Sequence, residues 1–125
     1  MDSGEIVGGQ GPRVIDSGIV DVRVGRAVTI VKPVNLYQCT IGSEAFIGPF
    51  TEIQKGVVVG ARTKIQSHSF VCELVTLGED CVVAHGVMFI NDLFRSGPAR
   101  GDKSKWFATR IGDRVSIGSN STILP

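Results

Sequence analysis

A period of six residues runs through most of this chain and leaves few folds open to it. Stepping by six from Ile41 reaches Ile47, Ile53, Val59, Ile65, Val71, Leu77, Val83 and Phe89, and every one of these positions is apolar. With 42% of the chain apolar, such a run arises by chance on the order of once in several thousand trials, so the period is a property of the fold. The residue after the aliphatic is often small: Gly42, Gly48, Gly60, Cys72, Gly78 and Ala84. The residue four after it is small or β-branched at Ala45, Thr51, Val57, Thr63, Ser69, Val75, Cys81 and Val87. The period returns at Ile111, Ile117 and Ile123. A weaker form precedes it at Val24, Ile30 and Leu36, with one five-residue step to Ile41.

A spacing of six fits neither the 3.6-residue turn of an α-helix nor the simple alternation of a long strand. Three hexads instead close a triangular coil of about 18 residues, each contributing one short strand and one corner. The aliphatic points inward, the small fifth residue fills the space beside it, and glycine after the aliphatic relieves crowding near the corner. The predicted fold is all-β: a parallel β-helix of hexapeptide repeats, with coils stacked about 4.8 Å apart. Roughly five to six coils would make a prism about 25–30 Å long. Residues 20–22 and the stretch GGQGPR at 8–13 read as part of an irregular cap. The expected organisation is therefore a cap at 1–23 and a β-helix domain at 24–125. A solenoid leaves flat apolar faces, and closed trimerisation would bury them.

Composition excludes several classes of function. The chain has 13 basic and 12 acidic residues, a net charge of +1, and no basic cluster with interleaved aromatics, so nucleic acid is not an expected partner. Cys39, Cys72 and Cys81 are odd in number and form no CxxC pair, which reads as reduced thiols in a cytoplasmic protein. No apolar run approaches the length of a membrane span, and the opening MDSGEIVGGQ lacks the apolar segment of a signal peptide. No membrane partner is expected.

The repeat is interrupted once. From Phe89 to Ile111 the spacing is 22 residues, so a long loop is inserted at about residues 91–110. It carries Arg95, Arg100, Lys103, Lys105 and Arg110 and the only tryptophan, Trp106. Loops this long in a compact fold are usually functional or disordered; a lid whose cations meet phosphates is the functional reading. Both histidines lie near one corner. His85 follows Val83 by two residues and His68 follows Ile65 by three, and Val83 and Ile65 are one 18-residue coil apart. Asn91 and Asp92 open the loop at the next corner. Two histidines beside an interrupted coil mark a candidate site, although a lone exposed histidine is more often plain surface.

The hexads from Ile41 to Val83, the run HGVMFINDLF at 85–94 and the stretch IGDRVSIGSNSTILP at 111–125 resemble nucleotide-sugar N-acetyltransferases of the hexapeptide-repeat family. The resemblance covers residues 34–125 and points to members that acetylate the 3-amino group of nucleotide-linked 3-amino sugars. It implies a left-handed coil and homotrimers with sites between subunits. Acetyl-CoA would be co-substrate and a small-molecule nucleotide sugar the acceptor. It also implies acceptor-site roles for His85 as a proton acceptor, Asn91 as an orienting amide and Asp92 as a partner of a sugar hydroxyl or the amine. His68 is the adjacent, weaker substrate-binding candidate. Arg95, Arg100, Lys103 and Lys105 would face the phosphates of coenzyme A. Two departures stand out. The usual FTND reads FIND here, so Ile90 lacks a hydroxyl, and no proline follows Phe94. Members of the resembled group also carry one or two coils beyond the point matching Pro125. The expectation is thus a shortened relative that binds acetyl-CoA weakly, with an alternative reading as a non-catalytic trimeric binding or scaffold protein. A carbonic anhydrase of the gamma class needs three zinc-binding histidines; with two in the chain, no metal is expected.

The register is testable directly. Ile65→Asp is expected to abolish the cooperative thermal transition, because it places an unpaired charge inside the prism. Glu79→Gln, at a corner, is expected to shift stability by no more than about 0.5 kcal/mol. Circular dichroism melts of the two variants side by side check the assignment, and equal effects would overturn it.

Overall fold

The structure, a computed structural model, describes residues 11–95, 97–98 and 101–125. It is a left-handed parallel β-helix built of strands two or three residues long, and no α-helix occurs among the described residues. One sheet stacks β1 (Ile19–Val20), β4 (Asn35–Tyr37), β7 (Glu52–Ile53), β10 (Phe70–Val71), β13 (Met88–Phe89) and β16 (Thr122–Ile123). The second stacks β2 (Arg23–Val24), β5 (Thr40–Ile41), β8 (Val58–Val59), β11 (Val75–Leu77) and β14 (Thr109–Ile111). The third stacks β3 (Thr29–Ile30), β6 (Phe46–Ile47), β9 (Lys64–Ile65), β12 (Val82–Val83) and β15 (Ser116–Ile117). All pairings between these strands are parallel. Strand β1 pairs with β4, so regular pairing begins at Ile19, within the segment assigned to the cap. No helix among the described residues is long and apolar enough to cross a membrane.

The expected register is the observed one. Ile47 pairs with Ile65, Ile65 with Val83, and Val83 with Ile117, so the core aliphatics form columns through the stack. Ile47, Ile65 and Val83 are essentially inaccessible to water and Ile117 is partly buried; each fully buried aliphatic contributes about 1.5–3 kcal/mol. The five-residue step from Leu36 to Ile41 is absorbed at one corner, where Val24 pairs with Ile41 without breaking the ladder. Residues at the fifth position of the hexads from Ile41 to Val83 are buried too, including Thr51, Thr63 and Ser69. Their hydroxyls are satisfied locally. Thr63 Oγ1 donates to the Gly78 carbonyl at 2.7 Å and Ser69 Oγ to the Ala84 carbonyl at 3.0 Å, in each case one coil further on. A small hydroxyl side chain at this position is therefore as good as an alanine: it fills the volume and finds an acceptor.

Corners repeat as regularly as strands. The third residue after most core aliphatics takes a left-handed backbone, as at Glu44, Phe50, Arg62, His68, Leu74, Asp80, Arg114 and Asn120. Along one edge this stacks Arg62 on Asp80, with Arg62 Nε 2.8 Å from Asp80 Oδ1 and Nη2 3.2 Å from Glu79 Oε2. The guanidinium holds the Asp80 carboxyl below its ordinary range. The pair is exposed and adds little to stability. Burial pushes the Cys39 and Cys72 thiols up to about 11, so both are poor nucleophiles.

Glycine after the aliphatic has a specific cause. A Cβ at Gly60 would collide with the Gly78 carbonyl of the next coil, whereas a Cβ at Gly112 would meet nothing. Gly60→Ala is expected to cost about 2 kcal/mol or more, because the facing atoms are backbone and cannot yield. Gly112→Ala should be neutral or slightly stabilising. Denaturant unfolding of both variants checks this; equal midpoints would overturn the close-contact explanation.

Candidate functional site

The external face of the first sheet lies between two corners of different chemistry. The corner leading into it carries the histidines; the corner leading out of it carries Asn91 and the inserted loop.

At the first corner, each coil places one residue in the left-handed position and one just before it. His85 occupies the earlier position, above Ser67, and its Nδ1 lies 2.9 Å from Ser67 Oγ. His85 is exposed. The hydroxyl restrains the ring and leaves Nε2 free to face solvent or a ligand. His68 occupies the left-handed position one coil below. Its ring stacks instead on Phe50, with centroids 4.9 Å apart and planes 26° from parallel. The two histidines thus share a corner, as their spacing predicts, but have separate partners.

At the second corner, Asn91 is 8% exposed and acts first as an anchor. Its Nδ2 donates to the Glu73 carbonyl at 3.0 Å, one coil below, and its own carbonyl accepts from Phe107 N at 2.8 Å. The latter bond closes the base of the loop. Asp92 is half-buried; it forms a bridge with Trp106, and its Oδ1 accepts from Phe94 N at 2.8 Å. The loop is also held by charge: Lys103 Nζ lies 3.0 Å from Glu73 Oε2 and 5.6 Å from the centre of the Trp106 ring. Lys103, expected to face coenzyme A, is therefore engaged with Glu73. Arg95 and Lys105, from the same expected set, line a cavity of about 280 Å³ with Asp92, Phe94, Asp102 and Phe107. Arg95 sits 5.7 Å above the Phe107 ring. Arg100 lies outside the described residues.

Between the corners, the lower coils of the sheet face are polar. Glu52 accepts from Asn35 Nδ2 at 3.0 Å and from Gln54 Nε2 at 2.9 Å, and Gln54 Oε1 accepts from Glu73 N at 3.2 Å. Burial raises the Tyr37 hydroxyl pKa, and the nearby Glu52 and Glu73 carboxylates raise it further. The upper coils present Phe70 and Met88. Sequence reading missed Ser67 and Glu73 as partners. The same 18-residue step that pairs the aliphatics puts Ser67 beneath His85 and Glu73 beneath Asn91, and it could have found both.

Comparison with known proteins agrees with the repeat. Residues 38–73 match the bacterial transferase hexapeptide (six repeats) family, and residues 108–125 match the hexapeptide repeat of succinyl-transferase. The bifunctional protein GlmU of Limosilactobacillus fermentum is 32% identical over 87 residues, covering 70% of this chain and 17% of its own length. That of Micrococcus luteus is 31% identical over 114 residues, covering 85% and 22%. The chain thus spans about a fifth of the length of these relatives. Among solved structures it resembles a perosamine N-acetyltransferase from Caulobacter crescentus, determined in complex with CoA and GDP-perosamine. The match has a TM-score of 0.55 and 20% identity, covering 78% of this chain and 48% of that one, and speaks for the fold. Both family matches are to hexapeptide repeats, the repeat from which this left-handed β-helix is built.

The anchoring role of Asn91 has a measurable consequence. Asn91→Ala leaves the Glu73 carbonyl without its donor and is expected to cost about 1–3 kcal/mol. Limited proteolysis should then cleave within the loop at 93–108 before any other site. A loop as resistant as in the unmodified chain would remove Asn91 from this role.

Proposed function

We propose that this chain transfers an acetyl group from acetyl-CoA to the amine of a nucleotide-linked amino sugar, acting in the cytoplasm as a homotrimer. The observation that carries the proposal is the restrained, exposed His85, tethered through Nδ1 to Ser67 beside a sheet face that ends in Asn91 and a cation-bearing loop. The acceptor enters as an ammonium. His85 Nε2 takes a proton from it, and the freed amine attacks the thioester carbonyl. The amide C–N bond forms, the C–S bond breaks, and the departing CoA thiolate takes the second proton lost by the nitrogen. Asn91 and Asp92 orient the amine and the sugar hydroxyls, with His68 alongside. His85 and Asn91 stand at different corners of one subunit, so a neighbouring subunit in a trimer supplies the shortest way to bring such groups together. Arg95 and Lys105 meet the phosphates of the co-substrate through charge-assisted hydrogen bonds, whereas Lys103 is held by Glu73.

A second reading, a non-catalytic trimeric binding or scaffold protein, draws on Asn91, whose amide nitrogen is committed to the Glu73 carbonyl. Turnover separates the two. With acetyl-CoA and a panel of nucleotide-linked amino sugars, mass spectrometry should detect the N-acetylated product. His85→Ala should lower kcat about 10²–10⁴-fold with no loss of thermal stability. An active protein indifferent to His85→Ala would sink the general-base role; no transfer with any acceptor would favour the scaffold.

A further inference from the structure

The histidine corner carries a second feature that acetyl transfer does not use. Successive coils place Pro33, Phe50, His68, Gly86 and Asn120 in one column, joined by backbone bonds such as Phe50 N to the Pro33 carbonyl at 2.6 Å and His68 N to the Pro49 carbonyl at 3.1 Å. Other corners put Ala27, Gln38, Glu44, Arg62, Leu74, Asp80 and Arg114 in the left-handed position, and of these only Leu74 is a large apolar residue. Phenylalanine is a poor choice there, because a bulky side chain at φ of 61° is a genuine outlier. Burial does not compensate: Phe50 is 59% exposed. The left-handed backbone is common to most corners of the coil, so what sets Phe50 apart is the large aromatic ring left exposed on it.

The surroundings fit a particular ligand. One face of the Phe50 ring is backed by His68, which holds it in a fixed plane. Beside Phe50 opens a concavity of about 280 Å³, whose apolar wall includes Pro33 and Val34 and whose polar rim is Ser17, Asn35, Thr51 and Glu52. An aromatic platform with a hydroxyl, an amide and a carboxylate around it offers a planar heterocycle both stacking and edge hydrogen bonds. Glu52 already accepts one bond on each oxygen, so it is held in place and keeps a lone pair on each. Two coils separate Phe50 from His85 along the same edge, about 10 Å of axial rise. A ribose and diphosphate bridge such a gap.

We propose that Phe50, backed by His68, is the stacking platform for the nucleobase of the nucleotide-linked acceptor, with Ser17, Asn35 and Glu52 reading the base edge. The placement rests on the acetyl-transfer reading for the identity of the acceptor, but it is tested by binding alone. Calorimetry with UDP, dTDP and GDP on the unmodified chain, Phe50→Gly and Phe50→Trp measures it, with light scattering for mass. Glycine suits the left-handed backbone, so Phe50→Gly should melt no lower than the unmodified chain. It should bind the preferred nucleoside diphosphate about tenfold or more weakly, the loss of one base–aromatic stack. Phe50→Trp should retain binding, and acetyl-CoA affinity should be the same in all three. Unchanged nucleotide affinity in Phe50→Gly overturns the platform, as does absence of nucleotide binding by the unmodified chain. A change in mass on Phe50→Gly also overturns it, by making the ring a contact between copies. An acetyl-transfer assay on the same preparations keeps the two ideas apart. Transfer that ignores Phe50→Gly sinks the platform and leaves the transferase standing; Phe50-dependent nucleotide binding without transfer does the reverse.

Discussion

Each coil of this protein is closed against the next by parallel backbone hydrogen bonds, and that contact permits almost no slack. Coils about 4.8 Å apart leave no room for a Cβ at Gly60 or Gly78, favour small or β-branched side chains at the fifth position of the hexads, and put a left-handed residue into most corners. A one-residue error in register would turn the aliphatic columns outward. The repeat is therefore a steric requirement enforced at every layer, and the single five-residue corner is tolerated because the pairing on either side of it stays in step.

The same stacking turns sequence separation into spatial adjacency. Residues 18 apart lie one above the other, so a side chain on one coil finds its partner on the coil below. Ser67 under His85, Glu73 under Asn91, and Asp80 beside Arg62 are all cases of this rule. A long insertion can leave the stack after Phe89 and return at Thr109 because β14 pairs with β11 as if nothing had intervened. The scaffold is rigid where it stacks and permissive where it turns, and its candidate functional groups sit on the turns.

Charge and polarity are distributed along the corners accordingly. One edge carries an exposed Arg62–Asp80 pair that adds little to stability. Another anchors the loop through a buried amide and a Lys103–Glu73 pair. Asn91, which the resemblance marks as a substrate contact, is thus also a structural bond. A residue in both roles couples the order of the loop to the geometry of the face beside it.

How much of this was legible in the sequence follows from what the period encodes. The nine apolar positions from Ile41 to Phe89, their return at Ile111, and the surplus between them determine a three-sided coil, its register and the position of the insertion, while its left hand was implied by the resemblance and not by the spacing. The clustering of His68 and His85 at one corner and the start of the loop at Asn91 follow from the same arithmetic. Tertiary structure alone decided what each of these side chains touches. Whether His85 meets Ser67 or His68 depends on which corner position each residue holds and on the direction its left-handed or extended backbone sends the side chain, and a period specifies neither. Likewise, four loop cations look equivalent in the sequence, yet Lys103 is drawn to Glu73 while Arg95 and Lys105 line a cavity, because an insertion outside the repeat has no ladder to place it and settles by its own contacts.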